Sequence, residues 1–163
     1  MEHTEEFKLI ELLLKKGLTV STAESCTGGM VASRLTSVSG ASGAFPFGAV
    51  TYCNEAKNKV LGVSAGTLDA FGAVSAETAK EMAENVRKIM GTDIGLSVTG
   101  VAGPNPSEGK PVGLVYTAVF SDAYAAVTEN HFSGDRESIR RQAADTVLQM
   151  ALRAAEETES RNV

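Results

Sequence analysis

Two hydroxyl groups, a thiol and two glycines follow one another in the segment Ser25-Cys26-Thr27-Gly28-Gly29. An extended, half-apolar run (19–22) precedes this segment and a helix-like run (30–35) follows it, so the pattern predicts a strand-to-helix turn. The start of a helix presents backbone N–H groups and a positive dipole end, which suit an anion or a developing oxyanion. The turn therefore combines a candidate nucleophile with a candidate oxyanion site.

Lys57 is the candidate base for that nucleophile. It follows a strand-like run that ends near Tyr52, and it falls in a short helix predicted for residues 55–61. Ser–Lys pairs are an alternative to serine–histidine pairs. A lysine ordinarily titrates near ~10.4, so it can serve as a base near neutral pH only if burial lowers its pKa. Tyr52 could relay the proton or hold the lysine, and the alternative for Lys57 is a solvated helix lysine.

Histidine and cysteine offer few other routes to catalysis. The chain has two histidines and two cysteines. His3 lies at the N-terminus, and His131 falls in a strand-like run where a solvated or hydrogen-bonded role is favoured over a catalytic triad. No cluster has the spacing of metal ligands, so we expect no metal and no cofactor. Cys26 is the intrinsically better nucleophile beside Ser25, although a buried small apolar role is preferred for it.

Composition narrows the class of protein. The 163 residues are 43% hydrophobic and carry a formal net charge of −5, which predicts one domain over residues 1–163 and argues against a general nucleic-acid binder. No apolar run approaches the roughly 20 residues of a membrane helix. The acidic N-terminus is unlike a signal peptide, and the scarcity of cysteine suits a reducing compartment, so we expect a cytoplasmic protein without membrane partners.

The periodicity of apolar residues predicts helices and strands in alternation. This order favours an α/β fold, a three-layer α/β/α sandwich with a mixed, mainly parallel sheet. Among the residues expected to face inward are Leu14 and Met90. The three loops 24–29, 39–43 and 99–106, rich in glycine or hydroxyl groups, are candidates for ligand binding. The predicted helices are 5–16, 28–37, 55–61, 67–71, 76–90 and 137–158, and the predicted strands are 19–24, 47–52, 94–99, 113–120 and 124–132.

Six motifs occur along the chain in an order that resembles the CinA C-terminal domain family, whose stand-alone members are nicotinamide mononucleotide amidases. The resemblance extends over residues 5–155. It implies an α/β/α fold and the conversion of nicotinamide mononucleotide (NMN) to nicotinate mononucleotide and ammonia. The chain departs from the family at 105–108, where the family is usually glycine-rich. The motifs are Ala23-Glu24-Ser25-Cys26-Thr27-Gly28-Gly29, Val50-Thr51-Tyr52-Cys53-Asn54-Glu55-Ala56-Lys57, Gly72-Ala73-Val74-Ser75, Thr99-Gly100-Val101-Ala102-Gly103-Pro104, Lys110-Pro111-Val112-Gly113 and Phe132-Ser133-Gly134-Asp135-Arg136.

The resemblance also implies roles for individual residues. Ser25 resembles the nucleophile, Lys57 its base and Tyr52 their neighbour, while Ser42 falls where the family carries another active-site serine. Arg136 resembles a phosphate or substrate contact that Arg140 could assist. The full set implied for substrate binding is Thr27, Gly28, Gly29, Ser42, Thr99, Gly100, Gly103, Arg136 and Arg140.

Other functions remain open at the level of sequence. The same loops could bind a nucleotide without hydrolysing it, as a non-catalytic or competence-related interaction domain would. An amidase acting on a different nicotinamide derivative is a further alternative. The expected partner is therefore a small-molecule substrate, with a homodimer as a possible assembly.

Overall fold

A five-stranded mixed sheet forms the middle layer of the structure. The computed structural model of the chain describes residues 4–162. A short 3₁₀ turn, Ala41–Gly43, precedes the second strand. The elements in chain order are α1 (Glu5–Lys16), β1 (Val20–Glu24), α2 (Met30–Thr36), β2 (Phe47–Val50), α3 (Asn54–Leu61), α4 (Ala65–Phe71), α5 (Ala76–Met90), β3 (Ile94–Gly100), β4 (Leu114–Phe120), β5 (Ala125–His131) and α6 (Arg136–Glu157).

The strand order is β2-β1-β3-β4-β5. β1 pairs in parallel with both β2 and β3, whereas the β3–β4 and β4–β5 pairs are antiparallel. Only β4 therefore runs against the other four strands of the described chain, and the sheet is mixed as predicted. Because β1, β2 and β3 are parallel neighbours, their carboxyl ends meet at one edge of the sheet.

Helices cover both faces of this sheet, which confirms the three-layer α/β/α fold. On one face α1, α2 and α6 enclose the larger core cluster, which contains Leu13, Leu35, Leu96 and Val147. On the other face α5 packs against β1, β3 and β4, with α3 and α4 beside it. Within residues 4–162 no helix is long and apolar enough to cross a membrane.

Most predicted elements are present, and the differences lie at their ends. α2 begins at Met30 and not at residue 28, because Gly28 and Gly29 adopt left-handed φ values of 58° and 100° that a helix does not accept. Leu14 and Met90 were expected to face inward, but they are 40% and 52% exposed. Leu14 lies beside the buried face of α1, which Leu9, Ile10 and Leu13 form, and Met90 is the last residue of α5. His3 lies outside the described residues.

Candidate active site

Lys57 and Ser25 form a buried pair at the carboxyl edge of the sheet. The Nζ atom of Lys57 donates to Ser25 Oγ at 2.9 Å and to the carbonyl oxygen of Thr51 at 2.8 Å. Lys57 is only 1% exposed, and Ser25 is also buried. The interpretation of Lys57 as a solvated helix lysine is therefore wrong.

Burial changes the acidity of this lysine. The loss of solvent around its ammonium group lowers the pKa of Lys57 from the ordinary 10.5, although the nearby groups of Cys53, Glu108 and Cys26 act in the opposite direction. A lower pKa increases the fraction of neutral amine at a given pH. The environment thus moves Lys57 in the direction that a general base requires.

Strand pairing brings the two residues together. Ser25 follows β1 and its amide donates to Val98 of β3 at 2.9 Å, while the Thr51 amide donates to Glu24 at 2.9 Å. These bonds continue the β1–β3 and β1–β2 ladders past the strand ends. The nucleophile turn and the residues before α3 are consequently held side by side, and Lys57, one turn into α3, reaches Ser25.

The amino terminus of α2 is occupied by a side chain of the protein. Glu24 is buried, and its carboxylate accepts hydrogen bonds from the amides of Val31 at 2.8 Å and Ala32 at 3.0 Å. The prediction that these helix N–H groups are free for an oxyanion is therefore wrong. The sequence signal for this contact is a glutamate at the end of a buried strand, six residues before a helix starts. A buried carboxylate needs hydrogen-bond donors, and the first amides of a helix provide them.

A cavity of about 290 Å³ opens beside the pair. Ser25 and Lys57 line it together with four residues that the resemblance implied for substrate binding, namely Thr99, Gly100, Gly103 and Arg136. The remaining lining residues are Cys26, Tyr52, Asn54, Ala73, Val74, Val101, Ala102, Asn105, Ser107 and Glu108.

Tyr52 lies at the rim of this cavity and not against the lysine. Tyr52 is 62% exposed, and its hydroxyl accepts a hydrogen bond from Arg136 Nη2 at 2.8 Å. Arg136 Nη1 donates to the carbonyl of Gly103. The expectation that Tyr52 holds the lysine is corrected, since the carbonyl of Thr51 does so.

Arg140 contacts the nucleophile turn from α6. Its Nε donates to the Cys26 carbonyl at 3.1 Å and its Nη2 to the Thr27 carbonyl at 3.0 Å, while Nη1 pairs with Glu137 at 3.1 Å. All three guanidinium nitrogens of Arg140 bond to the protein and, unlike Arg136, Arg140 is not among the residues that line the cavity, so it is not placed as a substrate ligand. Thr27, Gly28 and Gly29 likewise form the turn itself and are not among the residues that line the cavity.

Ser42 lies at the other end of the sheet. Ser42 is exposed in the short 3₁₀ turn that precedes β2. Two residues later, the carbonyl of Ala44 accepts a hydrogen bond from the amide of Val20, which places this turn at the start of β1. Ser25 follows the end of β1, so the length of that strand, roughly 16 Å at ~3.3 Å per residue, separates the two ends. The structure does not bring Ser42 to the cavity of its own chain.

The two cysteines differ in environment. Cys26 is buried, and burial raises the pKa of its thiol to about 12. Cys53 is exposed at the residue before α3. Because the thiolate is the reactive form of cysteine, the environment disfavours Cys26 as a nucleophile at neutral pH.

The long loop 101–113 is fastened to the segment before α5, which sequence reasoning did not anticipate. The Glu108 carboxylate accepts from the amides of Ala73 at 3.1 Å and Val74 at 3.2 Å. Lys110 donates to the carbonyls of Phe71 and Val74. Glu108 is also a non-glycine residue with a left-handed φ of 54°. The departure from the glycine-rich family pattern at 105–108 was the signal that marked this loop.

The remaining chemistry-bearing residues lie elsewhere. His131 is exposed on the edge strand β5, where Nε2 is 2.9 Å from Glu129 Oε1. Among the described residues no group of three or more histidine, cysteine, aspartate or glutamate side chains is arranged to hold a metal ion.

Comparison with known proteins identifies relatives over nearly the whole chain. Residues 2–155 match the CinA C-terminal domain. A CinA-like protein of Kosmotoga olearia is 51% identical over 154 residues, which cover 94% of this chain and 37% of that protein. The chain spans about a third of the length of the first curated relatives that it matches.

Solved structures share the fold. A competence-damaged protein (CinA) superfamily protein from Klebsiella pneumoniae superposes with a TM-score of 0.90 at 31% identity, covering 94% of this chain and 97% of that one. The competence/damage inducible protein CihA from Agrobacterium tumefaciens gives a TM-score of 0.89 at 39% identity, with 92% and 93% covered.

Proposed function

This chain belongs to the CinA C-terminal domain family, and we propose that it is an amidohydrolase that converts NMN to nicotinate mononucleotide and ammonia. The observation that carries the proposal is the buried contact of 2.9 Å between Lys57 Nζ and Ser25 Oγ beside an open cavity. A module that only binds a nucleotide has no need of a desolvated lysine against a serine hydroxyl. The buried pair supports an amidohydrolase, whereas NMN as its substrate is what the resemblance of the six motifs to the family implies.

Lys57 acts first as the general base. Lys57 Nζ lies within hydrogen-bond distance of Ser25 Oγ. Once the amine is neutral, it can therefore accept the hydroxyl proton of Ser25. The carbonyl of Thr51 holds Nζ in place during this transfer, since it accepts one of the amine hydrogens at 2.8 Å. Burial favours the neutral form that this step requires.

The reaction then follows the order of acyl transfer. Ser25 Oγ forms a bond to the carboxamide carbon, and the π electron pair of the carbonyl moves to its oxygen. Collapse of this intermediate breaks the C–N bond, and protonated Lys57 gives its proton to the departing nitrogen, which leaves as ammonia. Water, deprotonated by Lys57, attacks the acyl carbon; the bond from that carbon to Ser25 Oγ then breaks, Lys57 returns its proton to Oγ, and the acid product releases its own proton to solvent as the carboxylate.

The cavity suits a substrate with an anionic group at one end. Lys57 and Ser25 lie at the edge of the sheet, and Arg136 reaches the cavity from the first residue of α6. A guanidinium is well matched to a phosphate oxygen pair. We therefore assign Arg136 to the substrate phosphate, and Tyr52, which is hydrogen-bonded to it, to the rim around the substrate.

The test is ammonia release from NMN near pH 8 by the wild-type chain and the Ser25→Ala and Lys57→Ala variants. Turnover by wild type that falls to background in Ser25→Ala, and by roughly 10²–10⁴-fold in Lys57→Ala, is expected. Lys59→Ala is the matched control, because Lys59 lies in the same helix but is exposed. Its turnover should equal that of wild type.

Other outcomes assign the site differently. Turnover that survives in Ser25→Ala would move the nucleophile to Cys26 or to Ser42 of another copy. Binding of NMN to folded wild-type protein without ammonia release would support the nucleotide-binding alternative. Release of ammonia from another nicotinamide derivative but not from NMN would retain the amidase and change the substrate.

A further inference from the structure

Arg140 holds two consecutive carbonyl groups in the turn that carries Ser25. The bonds to Cys26 at 3.1 Å and to Thr27 at 3.0 Å come from a residue more than 100 positions away in the chain. Glu137 fixes the third nitrogen of the guanidinium at 3.1 Å. The side chain also lies directly against Gly28, where a Cβ atom would be 3.6 Å from Nη2.

Fixing a carbonyl also fixes the N–H group of the same peptide. In a planar trans peptide the C=O and N–H bonds point to opposite sides. The Cys26 carbonyl faces Arg140, so the Thr27 N–H faces away from Arg140. In the preceding peptide the Ser25 carbonyl accepts from the Gly28 amide at 3.0 Å, which directs the Cys26 N–H away from Gly28.

Several other amides around the turn are engaged. Those of Ser25, Gly28 and Met30 donate to backbone carbonyls, and the first amides of α2 donate to Glu24. The amides of Cys26 and Thr27 lie between these groups and take no part in the bonds just described. Ser25 and Cys26 both line the cavity, and the amides of Cys26 and Thr27 are the two that follow Ser25 directly in the chain.

We propose that Arg140 is a positioning residue: it aims the Thr27 N–H group directly, and the Cys26 N–H group through the Gly28 amide that bonds to Ser25, at the oxyanion formed when Ser25 attacks the carboxamide. This inference rests on the proposed amidohydrolase function, because an oxyanion forms only if that attack occurs. Preorganised donors of this kind favour the transition state over the bound substrate. Arg140 therefore affects kcat, whereas a phosphate ligand would affect mainly KM.

The experiment measures kcat and KM for NMN in wild type, Arg140→Met, Arg140→Lys and the control Arg141→Met. Arg141 is on the same helix, pairs with the same Glu137 and is exposed. Loss of one oxyanion donor lowers kcat by about 10²–10³-fold. A donor that is only misdirected still stabilises the oxyanion in part, so the fall in kcat should be smaller. We expect a fall of roughly 10–100-fold in kcat for Arg140→Met with KM within ~3-fold of wild type. Arg140→Lys should restore part of the loss, because an ammonium can still hold one carbonyl, and Arg141→Met should match wild type.

A second readout does not depend on turnover of NMN. The ¹H–¹⁵N resonances of Thr27 and Gly28 report the two peptides that Arg140 holds, and a fluorophosphonate reports the rate of covalent labelling at Ser25. Both should change in Arg140→Met and remain unchanged in Arg141→Met. If wild type does not hydrolyse NMN while these changes occur, the proposed substrate fails and the positioning role stands.

Two results would overturn the inference. One is an increase in KM with unchanged kcat in Arg140→Met, which would make Arg140 a substrate ligand. The other is unchanged resonances of Thr27 and Gly28 together with an unchanged labelling rate at Ser25. If Arg140→Met does not fold, Arg140→Lys is subject to the same two criteria.

Discussion

Lys57 Nζ lies 2.9 Å from Ser25 Oγ, and both side chains are buried at the carboxyl ends of two adjacent parallel strands. Neither residue is unusual by type or by local sequence. Their contact arises because β1 pairs with β2, so that the residues following each strand are neighbours. Burial then provides what a serine–lysine pair requires, a lysine whose pKa is lowered.

The rate of amide hydrolysis should increase with pH. In the proposed mechanism neutral Lys57 is the active form, so kcat/KM is expected to rise as pH passes through its lowered pKa and to level off below pH 10.5, the ordinary value. A pH–rate profile from pH 6 to 10 measures this. Lys57→Arg should lose roughly 10²–10⁴-fold in rate, because a guanidinium stays protonated throughout this range. An ascending limb that persists unchanged in Lys57→Arg would assign the ionisation to another group.

Replacing Lys57 should change the pH dependence of stability. Between the lowered folded pKa and 10.5 the unfolded chain binds more protons than the native chain, so the free energy of unfolding of wild type rises with pH in that window. The penalty of burying the ammonium is complete below the folded pKa. Lys57→Met removes it, so the variant should gain stability relative to wild type at pH 7, and this gain should diminish toward pH 10.5.

Urea unfolding at pH 7 and pH 10 measures the difference. Lys59→Met is the control, since the exposed Lys59 should give a difference from wild type that does not vary with pH. A Lys57→Met variant whose stability relative to wild type is the same at both pH values would show that burial does not perturb this lysine.

Local sequence signals predicted the elements well. Ser75 has the residue type and position of a helix N-cap, and its hydroxyl accepts from the amide of Thr78 at 3.1 Å at the start of α5. Gly17 likewise ends α1 in a left-handed conformation. Such signals depend on residues that are a few positions apart, so one sequence is sufficient to recognise them.

The site depended on contacts that local patterns do not contain. The burial of Lys57 follows from the position of α3 beside α5, which sets Lys57 against Ser25 and Thr51. The contacts of Arg140 follow from the packing of α6 against the turn at 26–27. The loop with Ser42 resembled a ligand loop in composition, but it precedes β2 and therefore lies at the amino end of that parallel strand. The periodicity of apolar residues predicted where the strands lie in the sequence. Which loops lie close together depends on the order and direction of those strands in the sheet, which periodicity does not contain.

The two cysteines should differ sharply in reactivity. At pH 8 iodoacetamide should alkylate the exposed Cys53 and leave Cys26 unmodified in the folded protein, because burial raises the pKa of the Cys26 thiol to about 12. Peptide mass spectrometry identifies the modified residue. Cys26→Ala should keep kcat within ~3-fold of wild type, since a small buried side chain is replaced by another. A folded Cys26→Ala protein without turnover would make the thiol the nucleophile.

Glu108 should stabilise the cavity wall at some cost to its own backbone. A left-handed φ of 54° costs a non-glycine residue about 1–2 kcal/mol, and the two hydrogen bonds from Ala73 and Val74 offset this cost. Glu108→Gly removes both terms, so Tm should change little. Ala73 and Val74 line the cavity, and a small displacement of a wall can reduce the rate strongly. We therefore expect kcat/KM to fall by roughly 10-fold.

Hydrogen exchange of the segment 71–74 distinguishes this account from a purely local effect. The amides of Ala73 and Val74 should exchange faster in Glu108→Gly than in wild type, because they lose the carboxylate that accepts from them. Glu108→Gln keeps the side-chain length and one carbonyl acceptor but lacks the charge, so its exchange should fall between the two. Protection of these amides that is equal in all three proteins would show that Glu108 does not fasten the loop to the cavity wall.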